Sequence, residues 1–262
     1  QGSLYSGINL HWNYTKRTCR LTMKDYIANV LTKYDHPCPT KPVLSPCKAA
    51  TISFGAKVQY TAYPDSTPAL NEAGVKRVQG IVSALLYYAH PVDNKLLHAL
   101  SKIGTQQAAT TEATNARINH LLDYCATYPN DGISYRASDM ILALDTDGSY
   151  LSEPGAKSRA AAYFYLTKKD DPEFHNGSVL ILSSIIKHIM ASASETELAA
   201  LFYGCKEAIP GDPFRCLESR QQEGEGTGGQ HHASGKAKHA VLGASRNVTQ
   251  ADRQKRADRR RY

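Results

Sequence analysis

The apolar run Ile141–Leu144 constrains the fold of this chain more than any other feature, because a continuous run of this kind suits a strand buried on both faces. The wider stretch ISYRASDMILALDTDGSYL is strand-like, and the run leads directly into Asp145 and Asp147, followed by Gly148. Asp, Gly and Ser commonly form turns, and a carboxylate at the end of a strand is usually solvated. Taken alone, the stretch predicts only that a buried strand ends here.

Two more strands and a helix follow. RAAAYFYLTKK (159–169) and SVLILSSIIKHIMAS (178–192) are rich in residues that favour strands, whereas SETELAALFYGCKEAI (194–209) returns to the helical period. Ser192 with Glu195, and Ser194 with Glu197, have the spacing of a helix capping box. This part of the chain therefore predicts a unit of three strands and one helix.

The part before it predicts a hairpin, a long connection and a helical bundle. Residues 7–22 read as a hairpin, with GINLHWN and CRLTM as its strands, and KDYIANVLTKY (24–34) has helical spacing. Residues 36–70 contain six prolines and predict a connection with little regular structure. Amphipathic helices are predicted next over about 72–89, 93–103 and 111–127, and their short joints favour a compact bundle.

Charge and cysteine content narrow the functional classes. The net charge is +7, and the segment 211–262, which lacks apolar periodicity and reads as disordered, holds eleven Lys or Arg and six Asp or Glu residues. The basic excess permits a nucleic-acid partner without requiring one. The cysteines form no Cys-x-x-Cys pair, which favours reduced thiols in an intracellular protein. No apolar run reaches membrane-spanning length, so we expect no membrane partner.

A resemblance to a known protein family suggests a catalytic role for these carboxylates. TDGSYLSEPGAKSRAAAYFYL (146–166) resembles the first two strands of RNase H domains, and ETELAAL (195–201) resembles their first helix. The combination is most similar to the RNase H domain of copia-type retrotransposon Pol polyproteins. The resemblance places Asp147 at the first catalytic aspartate and Glu197 at the catalytic glutamate, both as ligands of Mg²⁺ or Mn²⁺. Such sites use carboxylates because two Mg²⁺ ions, about 4 Å apart, bind oxygen and assist phosphodiester cleavage. Asp145 and Glu195 lie beside the motif positions, and we interpret them as a solvated acid and a helix cap.

The resemblance extends to the residues before Asp147 and predicts where the segments of the chain begin and end. YSGINLHWNYTKRT (5–18) resembles the primer-grip hairpin that ends the reverse-transcriptase palm, with Tyr5 and Gly7 at the Tyr-x-Gly positions. The stretches from 78 to 103 and from 116 to 135 resemble the helices that lead into RNase H. The expected fold is mixed α/β (α+β), with a helical thumb or connection region before a partial RNase H-like domain. The segments are the palm end and following helix (1–35), a Pro-rich connection (36–70), the helical region (71–135), the RNase H-like part (136–210) and a basic tail (211–262).

Two departures from the family pattern limit the expected activity. The polymerase motif Tyr-x-Asp-Asp is absent, so DNA synthesis would need the upstream polymerase segment of the parent polyprotein as a partner. After Pro210 no apolar strand ends in an aspartate, so the third and fourth acids are missing and the sheet is expected to stop after three strands, leaving an open edge. We therefore expect a truncated or frame-shifted chain that binds metal weakly, if at all, and whose cleavage is weak or lost.

Three readings of function remain open. The first is an enzyme fragment acting on RNA–DNA hybrids, the second a non-catalytic nucleic-acid-binding remnant, and the third an inert product that folds poorly. For the first two, the resemblance and the charge pattern suggest phosphate contacts on the helices, at Lys76, Arg77, Lys95, Lys102 and Arg117.

Overall fold

The structure is a computed structural model that describes residues 2–48, 65–171 and 174–208, together with the main chain of 218–219 and 238–242. It contains antiparallel sheets and helices, which confirms the expected mixed α/β fold. In chain order the elements are β1 Gly2–Tyr5, β2 Ile8–Asn13, β3 Thr18–Thr22, α1 Tyr26–Lys33, α2 Glu72–Ala89, α3 Leu96–Gly104, α4 Glu112–Thr127, β4 Ile133–Arg136, β5 Ile141–Glu153, β6 Lys157–Thr167, β7 Ser178–Ile185, α5 Ala193–Ala208, β8 Glu218–Ser219 and β9 Lys238–Leu242. None of the helices in these ranges is long and apolar enough to cross a membrane.

The first sheet has the order β1-β2-β3-β4 and is antiparallel throughout. The predicted hairpin is confirmed as β2 and β3, and β1 adds a strand that the sequence did not predict. Ser6 and Gly7 join β1 to β2 with φ of 47° and 79°, the positive values that a tight two-residue hairpin turn requires. Strand β4 returns to this sheet after the helices, so the chain closes the first unit before it begins the second.

The four helices α1 to α4 enclose the main core, as the periodicity predicts. Asn71 and Thr111 cap α2 and α4, since their side-chain oxygens accept hydrogen bonds from the main-chain N–H of Gly74 (2.9 Å) and Thr114 (3.3 Å). The largest fully buried residues of this core come from α1, α2, α3 and α4: Ile27, Ile81, Leu85, Tyr88, Leu96, Leu100, Ile118, Leu121 and Leu122.

The start of the Pro-rich connection packs along α4 without helix or strand. His36 Nε2 lies 2.8 Å from Asp123 Oδ1, and His120 Nε2 lies 3.0 Å from the carbonyl oxygen of Ser45. The N–H of Val43 donates to Thr127 Oγ1 at 3.1 Å. Side chains of α4 therefore satisfy polar groups that a proline-rich segment cannot pair in a ladder. The part of the predicted connection at 49–64 lies outside the described residues.

The second sheet has the order β7-β6-β5-β9-β8, and α5 packs on one of its faces. Leu144 and Phe164, both at most 1% exposed, meet Cys205 of α5. Gly204 brings the helix close, because a Cβ at Gly204 would lie 3.0 Å from Thr146 Cγ2 and 3.1 Å from Leu144 Cδ2. The buried central strand predicted from Ile141–Leu144 is thus confirmed, with β6 on one side and β9 on the other. The expectation that the strand ends at the aspartates is wrong, because β5 continues through Asp145 and Asp147 to Glu153 and pairs with β6 along this stretch.

The tail does contribute to this sheet, which differs from the expectation of three strands and an open edge. Lys238–Leu242 forms β9, which pairs antiparallel with Leu142–Thr146, and two residues of β8 pair with β9 in turn. The physical reason is the unpaired edge itself, whose N–H and C=O groups accept an extended segment. The sequence signal was weak because HAVL is too short to show a period. The third predicted strand is also shorter, because β7 ends at Ile185 rather than near 192.

Buried polar contacts join the two units. Arg159, 2% exposed on β6, donates from Nε to Glu153 Oε1 at 2.7 Å and from Nη1 to Ser101 Oγ of α3 at 2.8 Å. Asn176, just before β7, hydrogen bonds to the main chain of Arg136 at the end of β4. The helical region and the second sheet are therefore packed together.

Candidate functional site

Asp147 and Glu197 are brought to the same junction of strand and helix. A Cβ on Gly148 would lie 2.7 Å from the carbonyl oxygen of Thr196 and 2.9 Å from the nitrogen of Glu197. The main chains of β5 and α5 therefore touch here, and only a residue without a side chain allows so close an approach. The sequence resemblance places the two acids in one site, and the structure places their main chains next to each other.

The two side chains leave this junction in different directions. Adjacent strand residues face opposite sides of a sheet, so Asp147 projects from the face opposite to the one that Gly148 turns toward α5. Asp147 is exposed and Glu197 is half-buried on the helix. Among the described residues, the pairing of β9 with β5 stops at Thr146, one residue before Asp147. The structure therefore brings the main chains of this part of β5 and of α5 together, while Asp147 projects from the other face of the sheet.

Asp145, two residues before Asp147 on the same face, is engaged rather than simply solvated. Its Oδ2 lies 3.0 Å from His175 Nε2, and only 18% of its side chain is exposed. The His175 ring stacks on Tyr165 with centroids 5.0 Å apart. Burial, together with the charge of Asp145 and a hydrogen bond to it, raises the pKa of Tyr165. The sequence interpretation of Asp145 missed this arrangement, because His175 is thirty residues away and no spacing rule joins them.

Glu195 caps α5 as predicted. Its Oε2 accepts from the N–H of Ala191 at 2.5 Å, and its own N–H donates to Ser192 Oγ at 3.1 Å. These bonds resemble a capping box in which the carboxylate accepts from Ala191, one residue before Ser192, so Glu195 has a structural role at the same helix end.

The donors at the junction fit one hard metal ion better than two. Mg²⁺ is commonly held by one or two carboxylates while it keeps several waters, which Asp147 and Glu197 can provide. Within the described ranges, no three His, Cys, Asp or Glu side chains form a group able to hold a metal. The strand beside β5 has the sequence Lys-His-Ala-Val-Leu, which contains no carboxylate. A two-metal site needs more acids than the junction supplies.

The five cations predicted to meet phosphate all have intramolecular partners, and these fall into two classes. Carboxylates lie beside the three lysines: Glu72 beside Lys76 (2.5 Å), Asp131 beside Lys95, and Glu153 beside Lys102 (3.9 Å). Neutral amides accept from the two arginines: Asn115 and Asn119 from Arg77 (3.2 and 3.1 Å), and Gln106 from Arg117. A neutral acceptor leaves the charge of a guanidinium uncancelled, so the arginines are the stronger phosphate candidates.

Lys95 contacts two carboxylates and lies near two aromatic rings. Its ammonium contacts Asp131, lies 3.7 Å from Asp93 Oδ1, and stands 5.9 and 5.8 Å from the ring centroids of Tyr124 and Tyr128. Burial lowers the pKa of Lys95, but the hydrogen bond to Asp131 and the charge of Asp93 outweigh it and raise the pKa overall. This lysine neutralises the buried Asp93, and a phosphate would have to compete with both carboxylates.

The primer-grip-like positions lie at the β1–β2 turn. Tyr5 is 71% exposed, and Gly7 occupies one of the two positive-φ positions of the turn. Tyr87 Oη donates to the carbonyl oxygen of Ser6 at 2.8 Å, which fastens the turn to α2. The glycine therefore has a structural reason to be here, and Tyr5 is available to a partner.

Comparison of the chain with protein-family models, curated proteins and solved structures found no match.

Proposed function

We propose that this chain is the part of a copia-type retrotransposon Pol polyprotein that follows the polymerase active site, and that its ancestral activity is metal-dependent cleavage of RNA in RNA–DNA hybrids. The observation that carries the proposal is the contact of Gly148 with Thr196 and Glu197, which sets Asp147 and Glu197 at one junction. The element order of three antiparallel strands and a helix agrees with the resemblance. We place the protein in the cytoplasmic particle or the nucleus, where its nucleic-acid partners occur.

The roles of the residues follow from their positions. Asp147 and Glu197 would hold Mg²⁺ or Mn²⁺ at the part of β5 just beyond its described pairing with β9, where a phosphodiester can approach the exposed Asp147. A bound metal of this kind polarises the phosphoryl group and activates a water. We infer that the close approach of helix and strand at Gly148 would let both carboxylates reach one ion, and Glu195 caps the first turn of α5 that carries Glu197.

The incomplete carboxylate set favours weak or lost cleavage. Two acids supply few of the oxygen ligands that paired Mg²⁺ ions need, and Asp145 is held by His175. The engaged Asp145 is thus poorly placed to serve as the missing third ligand.

The experiment is cleavage of a labelled RNA–DNA hybrid in Mg²⁺ or Mn²⁺ by the wild type, Asp147→Asn, Glu197→Gln and the control Glu195→Gln. We expect cleavage to be slow or undetectable, and any cleavage to vanish in the first two variants but survive in the control, whose amide oxygen still accepts at the cap. Cleavage that persists in both site variants would contradict the proposed residues. Turnover at ordinary enzyme rates, about 1–1,000 s⁻¹, would contradict the incomplete site.

A second candidate, nucleic-acid binding without catalysis, is favoured by Arg77 and Arg117, whose hydrogen-bond acceptors are neutral amides. Salt weakens such binding steeply, because bound phosphates release counterions. We expect the combined variant Arg77→Gln, Arg117→Gln to reduce the salt slope of hybrid binding, and Lys76→Gln, whose charge Glu72 already cancels, to change it little. Equal effects of the two variants would argue against this assignment.

A further inference from the structure

The edge of β5 requires a strand partner. Ala143 and Leu144 in this strand are fully buried, and Leu142–Thr146 pairs with β9 from Leu242 to Lys238. Main-chain N–H and C=O groups beside such a core destabilise the fold when they are left unpaired. Pairing of this edge is therefore a condition of stability.

The opposite edge of the same sheet is protected differently. On β7, Ser101 Oγ of α3 donates to the carbonyl oxygen of Ser183 at 2.9 Å, and Tyr135 Oη of β4 donates to that of Ser178 at 2.7 Å. Side chains of the first unit therefore use hydrogen-bonding groups of β7. The edge of β5 is paired instead with strand β9 from the tail.

Strand β9 has few other described attachments. Its second neighbour, β8, contributes only the pairs of Glu218 with Val241 and Ser219 with Ala240. In the sequence, eighteen residues (220–237) separate β8 from β9, so the strand is joined through a long connection. The main described attachment of β9 is thus its hydrogen-bonded ladder with β5.

Charge also matches the two strands. The accepting stretch contains Asp145 and leads into Asp147, whereas the segment 235–242, Gly-Lys-Ala-Lys-His-Ala-Val-Leu, contains two lysines and no acid. In the register of the ladder Lys238 lies opposite Thr146, between the two aspartates. An extended basic segment suits this edge better than an acidic one.

We propose that the edge Leu142–Thr146 is a strand-acceptor site whose occupant is the segment Lys238–Leu242, supplied by the chain itself and, when that copy is displaced, by the same segment of a second copy. Main-chain hydrogen bonds provide the affinity, as in other cases of strand addition. Because the segment belongs to the same chain, covalent linkage gives it an effective concentration of about millimolar, so the chain's own β9 excludes a second copy at micromolar concentrations. The inference is independent of any nuclease activity.

The test uses the full chain with Ala240→Pro and Val241→Pro, which remove two N–H donors and prevent β9 from pairing. A labelled peptide of residues 235–244 is titrated against this variant and the wild type, with fluorescence anisotropy as the readout. We expect saturable binding to the variant, at least ten-fold tighter than to the wild type, and none with a control peptide that carries both prolines. Hydrogen exchange of the amides of residues 142–146 should be faster in the variant than in the wild type, and it should become slow again when the peptide binds to the variant.

A variant that keeps slow exchange in β6 but neither binds the peptide nor loses protection at 142–146 would overturn the proposal. If the proline variant does not fold, a second experiment tests the same proposal with the wild-type sequence. A protease site is inserted between Gly228 and Gly229, and the folded chain is cut once. We expect the released 229–262 piece to co-elute at high concentration and to dissociate on dilution, with faster exchange at 142–146. Dissociation without any change in exchange there would refute the assignment of β9 as the occupant.

Discussion

Asn176 joins the two units through a side chain that behaves like main chain. It is 6% exposed, its Oδ1 accepts from the N–H of Arg136 at 2.8 Å, and its Nδ2 donates to the carbonyl oxygens of Arg136 at 2.8 Å and Leu166 at 3.1 Å. The amide therefore pairs with Arg136 as a neighbouring strand residue would, and bridges β4 to β6.

Asn176→Asp preserves the shape of the side chain and removes both donors. The carbonyl oxygens of Arg136 and Leu166 would lose their partner and face a carboxylate. At about 1–3 kcal/mol for each buried group left unsatisfied, we expect the free energy of unfolding to fall by about 2–6 kcal/mol. Urea denaturation measures it, with Asn130→Asp in an exposed loop as the matched control, for which a change within about 0.5 kcal/mol is expected.

The pH dependence of the variant gives a second check. Neighbouring carbonyl oxygens disfavour the charged carboxylate, so its folded-state pKa should lie above the usual value of about 3.9. The destabilisation is then full at neutral pH and shrinks as the pH falls through the raised pKa, because the protonated carboxyl regains one donor. A loss no larger than that of Asn130→Asp, or one that grows as the pH falls from 7 to 5, would refute this reasoning.

Three further predictions concern other parts of the chain. Gly148→Ala should lower the free energy of unfolding by about 1–3 kcal/mol, because its Cβ would meet the main chain of Thr196 and Glu197. Gly104→Ala, which has open space around it, should not destabilise α3. Thermal unfolding compares the two variants, and equal effects would contradict the close contact at Gly148. Hydrogen bonds from Thr111 and Thr67 lower the pKa of Asp65 to about 2, so the stability it contributes is full above a pH of about 4 and is lost as the pH falls toward 2; an NMR titration midpoint near 4 would contradict this. Burial raises the pKa of the Cys19, Cys125 and Cys205 thiols, whereas Cys38 is exposed. Iodoacetamide should therefore label Cys38 first in a Cys216→Ser background, with mass spectrometry as the readout. Labelling of Cys125 before Cys38 would contradict the packing of α4.

The sequence predicted most elements because their signals are local. The helices at 72–89 and 111–127 have a clear apolar period and their own caps at Asn71 and Thr111, so α2 and α4 occur where the pattern places them. The strands at 141 and 159 combine apolar runs with strand-forming residues, and β5 and β6 follow them.

The features that sequence analysis missed depend on contacts distant in the chain. Strand β9 is defined by the edge it covers, about a hundred residues earlier, rather than by its own pattern. The pairing of His175 with Asp145 and of Arg159 with Ser101 likewise arises only when the sheet and helices pack. The phosphate candidates were chosen by charge, but their partners, carboxylates for the lysines and amides for the arginines, were not readable from spacing.

The most direct test of the central claim is Mn²⁺ titration of the ¹⁵N-labelled chain, followed by NMR line broadening. A shared carboxylate site predicts that the amides of Asp147, Gly148 and Glu197 broaden first and together. This broadening should be lost in Asp147→Asn and retained in Glu195→Gln. Broadening that begins elsewhere, or that is unchanged in Asp147→Asn, would contradict the assignment of Asp147 and Glu197 to one metal site.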